Sequence, residues 1–399
     1  MYRIFSLYKE AFSNLQRNIW ILSLAMFINR SGAMVLLFTS LYLTNDLHFS
    51  IAQAGMTMGF FGIGSVLGSY AGGWLTDRKN FFDIMILSLI ASGCILPLML
   101  LADTQFSITA IIFSYAFASD MFRPANSSAI AQYSIPENRT RSVSLVRLAA
   151  NLGFSVGPAI GGFVALHLGY KWLFLIDAFS SFAAAGMLFM HLPKHVKEKS
   201  HLSGSALLDR STSAYRDKRY LFFIFLVAIF ALCFFQLFAS IPQFFNKQWK
   251  YNEDTIGLIL ALNGLLVVIF EMPVVTWLEK RKNIFSFIIS GTMCISVSFF
   301  FLVFGNGMIA MAIAYTFFIT VAEIFAMPFM MNYTLSRAKK ERQGQYSALY
   351  SISFGVANIA APSLGLWLAG QYSFTLMFYF FIALSILTAL GFSWLRSKT

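Results

Sequence analysis

Apolar residues recur in runs of about 20, the length an α-helix needs to cross the hydrocarbon core of a bilayer, and short polar or Pro/Gly-containing turns separate the runs. The pattern predicts spans at 19–42, 50–75, 83–101, 106–133, 142–166 and 170–192. After one polar stretch it predicts six more, at 220–245, 254–278, 284–304, 308–335, 344–369 and 373–395. The expected fold is an all-α membrane protein of twelve transmembrane helices. Its expected divisions are a six-helix bundle over 1–192, a cytoplasmic linker over 193–219 and a second six-helix bundle over 220–399.

Lysine and arginine favour the cytoplasmic side of short loops, so their distribution orients the spans. With the N-terminus inside, the first-half inside segments carry seven basic residues, the linker seven, and the later inside loops and tail nine, out of 29. Lys171, Lys247 and Lys250 fall outside, while Arg30, Arg123 and Arg147 fall within spans. Both termini are therefore expected to be cytoplasmic, in a multi-pass protein of the cell (inner) membrane. The N-terminal MYRIFSLYKEAFSNLQRN reads as a basic lead-in to the first span rather than a removable signal.

Composition agrees with this picture. Hydrophobic residues make up 58% of the chain and charged residues 12%, about half of what a soluble domain carries. A net charge of +12 would suggest a nucleic-acid partner in a soluble protein. Here most of the basic residues sit on one side of the membrane, so no nucleic-acid partner is expected. Cys94, Cys233 and Cys294 lie far apart inside apolar runs and read as small core-filling thiols, not as a disulfide framework or metal ligands. No phosphate-cradling loop, metal-spaced cluster or nucleophile–base set stands out, so no catalytic residues, metal, cofactor, ATP-driven step or enzymatic activity is expected.

The halves repeat. Trp74–Asn80 reads WLTDRKN and Trp277–Asn283 reads WLEKRKN. Gly157–Pro158 is matched by Ala361–Pro362, Pro124 by Pro328, and Asp120 by Glu323, all at a spacing of 203 or 204 residues. A duplicated six-helix unit is the sequence mark of many secondary transporters.

The loop after the second span, GGWLTDRKN, resembles the loop signature of the major facilitator superfamily, through Gly73, Asp77 and Arg78. It departs where that family usually has Gly and paired Arg, since Asn80, Phe81 and Phe82 stand there. The fifth span carries NLGFSVGPAIGG, in which Gly153, Gly157, Pro158, Gly161 and Gly162 are similar to the helix-5 pattern of the superfamily's drug:proton antiporters. Glycines at every fourth position make a flat stripe that a neighbouring helix can approach, and a proline bends the helix. The expectation is a close contact between the halves, acting as a seal. FRPANSSA in the fourth span is also similar to proton-dependent oligopeptide transporters, but Ile28 and Asn29 stand where that family has paired glutamates before an arginine.

A charge at mid-bilayer costs about 2.5–3.5 kcal/mol even on the mild insertion scale, so each calls for a partner or a function. Arg30 lies midway along span 1, Asp120 and Arg123 along span 4, Gln236 in span 7 and Glu323 in span 10. The resemblance implies that these four helices line a central cavity, making the five residues candidates for binding substrate or protons. Asp120 and Arg123 are three apart and can pair. No basic residue stands within one helical turn of Glu323 in the sequence. Arg147, Asp177 and Glu271 are secondary candidates, Asp177 more structural than functional. Asp77 and Arg78 read as a cytoplasmic latch that binds helix ends of the other half in one state.

The reading is a proton-coupled secondary transporter of a small organic solute by alternating access, most simply an exporter of amphiphilic compounds. Its expected partners are the solute, protons and the lipid bilayer, and a monomer is expected. The alternative is proton-driven symport of a zwitterion, such as an amino acid or small peptide, with Arg30 and Arg123 holding its carboxylate and Glu323 its amine.

Overall fold

The computed structural model describes residues 9–32, 38–39, 42–49, 51–194, 213–251, 253–281 and 283–397. The linker residues 195–212, together with Arg3, Lys282 and Lys398, lie outside them, as do part of the first predicted span and the side chain of Pro158.

Every regular element among the described residues is helical. In the first half these are α1 (Arg17–Gly32), α2 (Ile51–Arg78), α3 (Phe81–Ile95, continued as a 3-10 turn over Leu96–Leu101), α4 (Gln105–Asp120), α5 (Phe122–Tyr133), α6 (Arg139–His167) and α7 (Lys171–His191). The second half forms α8 (Lys218–Phe234), α9 (Ile241–Lys247), α10 (Glu253–Glu279), α11 (Ile284–Phe304), α12 (Ile309–Arg337), α13 (Gln343–Gln371) and α14 (Phe374–Ser397).

Among the described residues nine helices are long and apolar enough to cross a membrane. The other three predicted spans are covered, where they are described, by α1, the 28-residue α2, and the α4–α5 pair. A helix in lipid must satisfy its backbone polar groups internally, and caps finish the job at the ends. Asn80 accepts from the Phe82 N–H at 3.0 Å to start α3, and Asp217 accepts from the Tyr220 N–H at 3.0 Å to start α8. Thr104 and Ser107 form a reciprocal capping box at the start of α4.

Span 4, expected to be one rod, is interrupted at Met121. Pro124 has no N–H to donate to the carbonyl of Asp120, four residues earlier, and its ring crowds that carbonyl. The Ser69 hydroxyl reaches toward the freed Asp120 carbonyl at 3.5 Å. Span 7 is broken as well, passing through a 3-10 turn at Phe235–Leu237 before Pro242 opens α9.

The chain divides into two compact units. One comprises Leu15–Arg216 with Leu335–Ile352, and the other comprises Met1–Asn14, Asp217–Thr334 and Ser353–Thr399. The end of α12 and the start of α13 therefore cluster with the first-half helices.

Small residues set the packing of the first unit. Gly64, Gly68 and Gly72 form a stripe on α2. A Cβ at Gly64 would meet the Phe113 carbonyl at 2.5 Å, and one at Gly72 the Met121 carbonyl at 2.6 Å. Without side chains there, α4 and the start of α5 lie backbone to backbone on α2. The predicted stripe on α6 also admits a neighbour: Gly153 and Gly157 face the backbone of α1 at Arg30 and Ser31. Gly161 is buried, and a Cβ added at Gly162 would stand 3.9 Å from the Phe38 ring. In the second unit α14 packs on α11 and α8, with Phe299 and Phe381 stacked between α11 and α14 at 5.7 Å.

Candidate functional site

The break at Met121 positions the first ionic cluster. Asp120 ends α4 and Arg123 begins α5, and their side chains pair, Nε to Oδ1, at 2.5 Å. The Asp120 side chain is 5% exposed and that of Arg123 40%, so the carboxylate is held inside while the guanidinium reaches outward. Arg30, half-buried on α1, lies 5.4 Å from the Phe154 ring centroid on α6 and within electrostatic range of Asp120, Arg123, Tyr115 and Asp177.

Asp177 is buried, and the Tyr115 hydroxyl donates to its Oδ2 at 3.2 Å. Asn29 donates to Ser181 at 3.3 Å, tying α1 to α7 beside it. The structure thus brings Arg30, Asp120, Arg123 and Asp177 into one cluster in the first unit, with both carboxylates buried. Tyr115 joins them although the sequence pattern did not single it out. Its spacing of five from Asp120 carries no helical-face signal.

In the second unit Glu323 is buried on α12. Asn263 of α10 donates to Thr320 at 2.9 Å and lies 3.5 Å from Glu323 Oε2. Asn263 and Thr320 were not anticipated, although Thr320 stands one turn before Glu323 and shares its face. Glu271 is also buried on α10.

Gln236 is fully buried in the 3-10 break after α8. Its Nε2 donates to the carbonyls of Leu232 and Ala361 at 3.2 and 3.0 Å, and its Oε1 accepts from Ser240 at 2.6 Å. This geometry ties α8 to α13 where the helix is broken.

The loop signature occupies a different place, at the end of α2. Asp77 accepts the backbone N–H of Gly344 at 2.7 Å on Oδ1 and that of Gln345 at 3.1 Å on Oδ2. Those amides lie in the first turn of α13, where a helix presents unsatisfied donors and the positive end of its dipole. Gly73, one turn before Asp77, packs against Gly344 and Ala348. Gln132 and Gln343 hydrogen-bond at 3.2 Å, and Arg139 donates to Ser336 at 3.3 Å, fixing the same segment. Arg147, on α6, lies within electrostatic range of Tyr350 in α13.

Arg78 stacks on Trp74 with its Cζ 3.6 Å from the ring centroid, and Arg281 stacks on Trp277 at 4.1 Å. The repeat of the two loops therefore extends to three dimensions. Its one charge reversal does too: Lys280, in the register of Asp77, pairs with Glu10 at 2.5 Å in the second unit. Among the described residues no group of His, Cys, Asp and Glu has the arrangement to hold a metal ion.

The sequence model of the Major Facilitator Superfamily matches residues 19–362. The chain is 24% identical over 375 residues to the Bacillus subtilis "Uncharacterized MFS-type transporter YqjV", covering 92% of this chain and 89% of that protein. It is also 24% identical over 409 residues to a Na(+), Li(+), K(+)/H(+) antiporter of Planococcus maritimus, covering 92% and 93%. Multidrug resistance protein 2 of Bacillus subtilis is 22% identical over 343 residues, covering 80% of each chain. In fold the chain is similar to a bacterial homologue of the iron transporter ferroportin, with a TM-score of 0.75 at 16% identity over 96% of this chain and 100% of that one. The proton:xylose symporter XylE gives 0.74 at 14% identity over 94% of each chain. The match across most of its length, the membrane helices and the shared fold make this chain a multi-pass membrane protein of the Major Facilitator Superfamily, a family of transporters and not of enzymes.

Proposed function

We propose that this protein is a proton-coupled antiporter that exports a small amphiphilic organic solute by alternating access. The observation that carries the reading is Glu323, a buried carboxylate on a broken-symmetry partner of Asp120, with Asn263 in reach of its oxygen. An ionisable residue inside a membrane span is costly and is retained for ion or substrate handling. Glu323 is assigned the transported proton because it is a carboxylate buried within a membrane span. Two relatives bear names that support antiport and amphiphile export, a monovalent-cation/proton antiporter and a multidrug resistance protein. The Lys/Arg asymmetry supports cytoplasmic termini and residence in the cell membrane. The Asp77–α13 contact serves as the cytoplasmic latch, and the six-helix bundles 1–192 and 220–399 work as one monomeric transporter.

Reconstituted into proteoliposomes, the wild-type protein is expected to move amphiphilic cations against an imposed proton gradient. Glu323→Gln is expected to abolish that coupling while leaving solute-for-solute exchange intact. Unchanged proton coupling in Glu323→Gln refutes the assignment of the proton. Accumulation of an amino acid or dipeptide along an inward proton gradient, with no amphiphile movement, would replace export with symport.

A further inference from the structure

The far end of the polar linker lies on the latch. Ser213 donates to Oε1 of Gln345 at 3.3 Å, and Gln345 is one of the two residues whose N–H groups Asp77 holds. Ala214–Arg216 forms a short 3-10 turn with Ala214 fully buried. The Tyr215 ring lies against Tyr70 of α2, with centroids 6.1 Å apart and planes tilted by 53°. Tyr70 precedes Asp77 by two helical turns and shares its face. The linker thus touches both elements the latch joins, the first turn of α13 through Ser213 and the last turns of α2 through Tyr215. Burial, then Tyr70 and Asp77, push the Tyr215 phenol up to about 12, so it stays neutral beside the carboxylate. At Asp217 the chain immediately caps α8.

We propose that Ser213 and Tyr215 are positioning residues for the Asp77 cap, forming a strap that holds the first turn of α13 on α2. The strap acts through another group: the charge that receives the helix end is Asp77, and Ser213 and Tyr215 fix where that end lies. Its role in transport rests on the reading of Asp77 as a latch, but its effect on the Gly344 and Gln345 amides does not.

Amide hydrogen exchange at Gly344 and Gln345 in the full-length protein in lipid nanodiscs tests this directly. The double variant S213A/Y215A is expected to raise exchange at both amides by about fivefold or more, reporting local opening of the cap. Y215F, which keeps the ring contact, is expected to exchange as wild type. Combining S213A/Y215A with Asp77→Asn is expected to exchange no faster than Asp77→Asn alone, because the strap works through the carboxylate. In proteoliposomes S213A/Y215A is expected to shift the maximal transport rate in the same direction as Asp77→Asn, with KM unchanged. Wild-type exchange in S213A/Y215A, or an additive effect with Asp77→Asn, overturns the proposal. Raised exchange with unaltered transport in both S213A/Y215A and Asp77→Asn supports the strap and refutes the latch.

Discussion

Asp77 and Gly344, 267 residues apart in the chain, meet at 2.7 Å, carboxylate oxygen to backbone N–H. A side chain from the loop of the first half thereby caps a helix of the second. Charge, hydrogen bond and helix dipole all act in the same direction there, so the contact combines what a capping residue and a helix-end anion do separately.

Asp77→Ala is expected to destabilise the first turn of α13 by about 1–2 kcal/mol, since two helix-end donors lose an ionised acceptor. Asp77→Asn, which keeps an oxygen acceptor without the charge, should lose less. Thermal unfolding and amide exchange at residues 344–345 would measure both, and equal stability of all three proteins would contradict the cap.

Gly344 is a position where a side chain has nowhere to go. A Cβ there would meet Asp77 Oδ1 at 2.7 Å and the Gly73 backbone carbonyl closer still. Gly344→Ala is therefore expected to cost roughly 1–3 kcal/mol and to open the Asp77 contact. Gly370, with open space around its Cβ position, provides the control. Gly370→Ala should leave the melting temperature of the purified protein nearly unchanged.

Asp120 and Arg123 form a pair with unequal burial. Asp120→Leu removes the buried partner of a guanidinium that is 40% exposed, so the loss is discounted for solvent to about 1–2 kcal/mol. The double variant Asp120→Leu with Arg123→Met should recover most of that stability, because no charge is left unpaired. A double-mutant cycle by thermal unfolding reads the coupling, and additive losses would show that the pair contributes nothing.

Gln236 separates a structural from a binding role. Its amide is engaged with Leu232, Ala361 and Ser240 in the broken part of span 7. Gln236→Leu is expected to cost about 1–3 kcal/mol through the orphaned Ser240 and Ala361 groups, with the KM for transported solute unchanged. A large change in KM at unaltered stability would instead assign Gln236 to substrate binding.

Helix positions, the duplication and the family were legible in the chain itself, because hydropathy in lipid is a local property and any run of about 20 apolar residues declares itself. The pairing of Asp120 with Arg123 was legible from their spacing of three, and it persists across the break at Met121. The motif singled out Asp77, but the donors it receives are two backbone amides, and an amide at a helix start looks like any other in sequence. The glycine stripe on α6 announced a close neighbour without saying which, and the tertiary structure made it α1 at Arg30 and Ser31. Tyr115 on Asp177, Asn263 beside Glu323 and Ser213 on Gln345 join residues from 60 to 132 positions apart, and no periodicity reports such meetings. Sequence sets which groups enter the membrane; packing alone decides which of them touch, since contacts between helices depend on rotation and depth that the hydrophobic pattern leaves open.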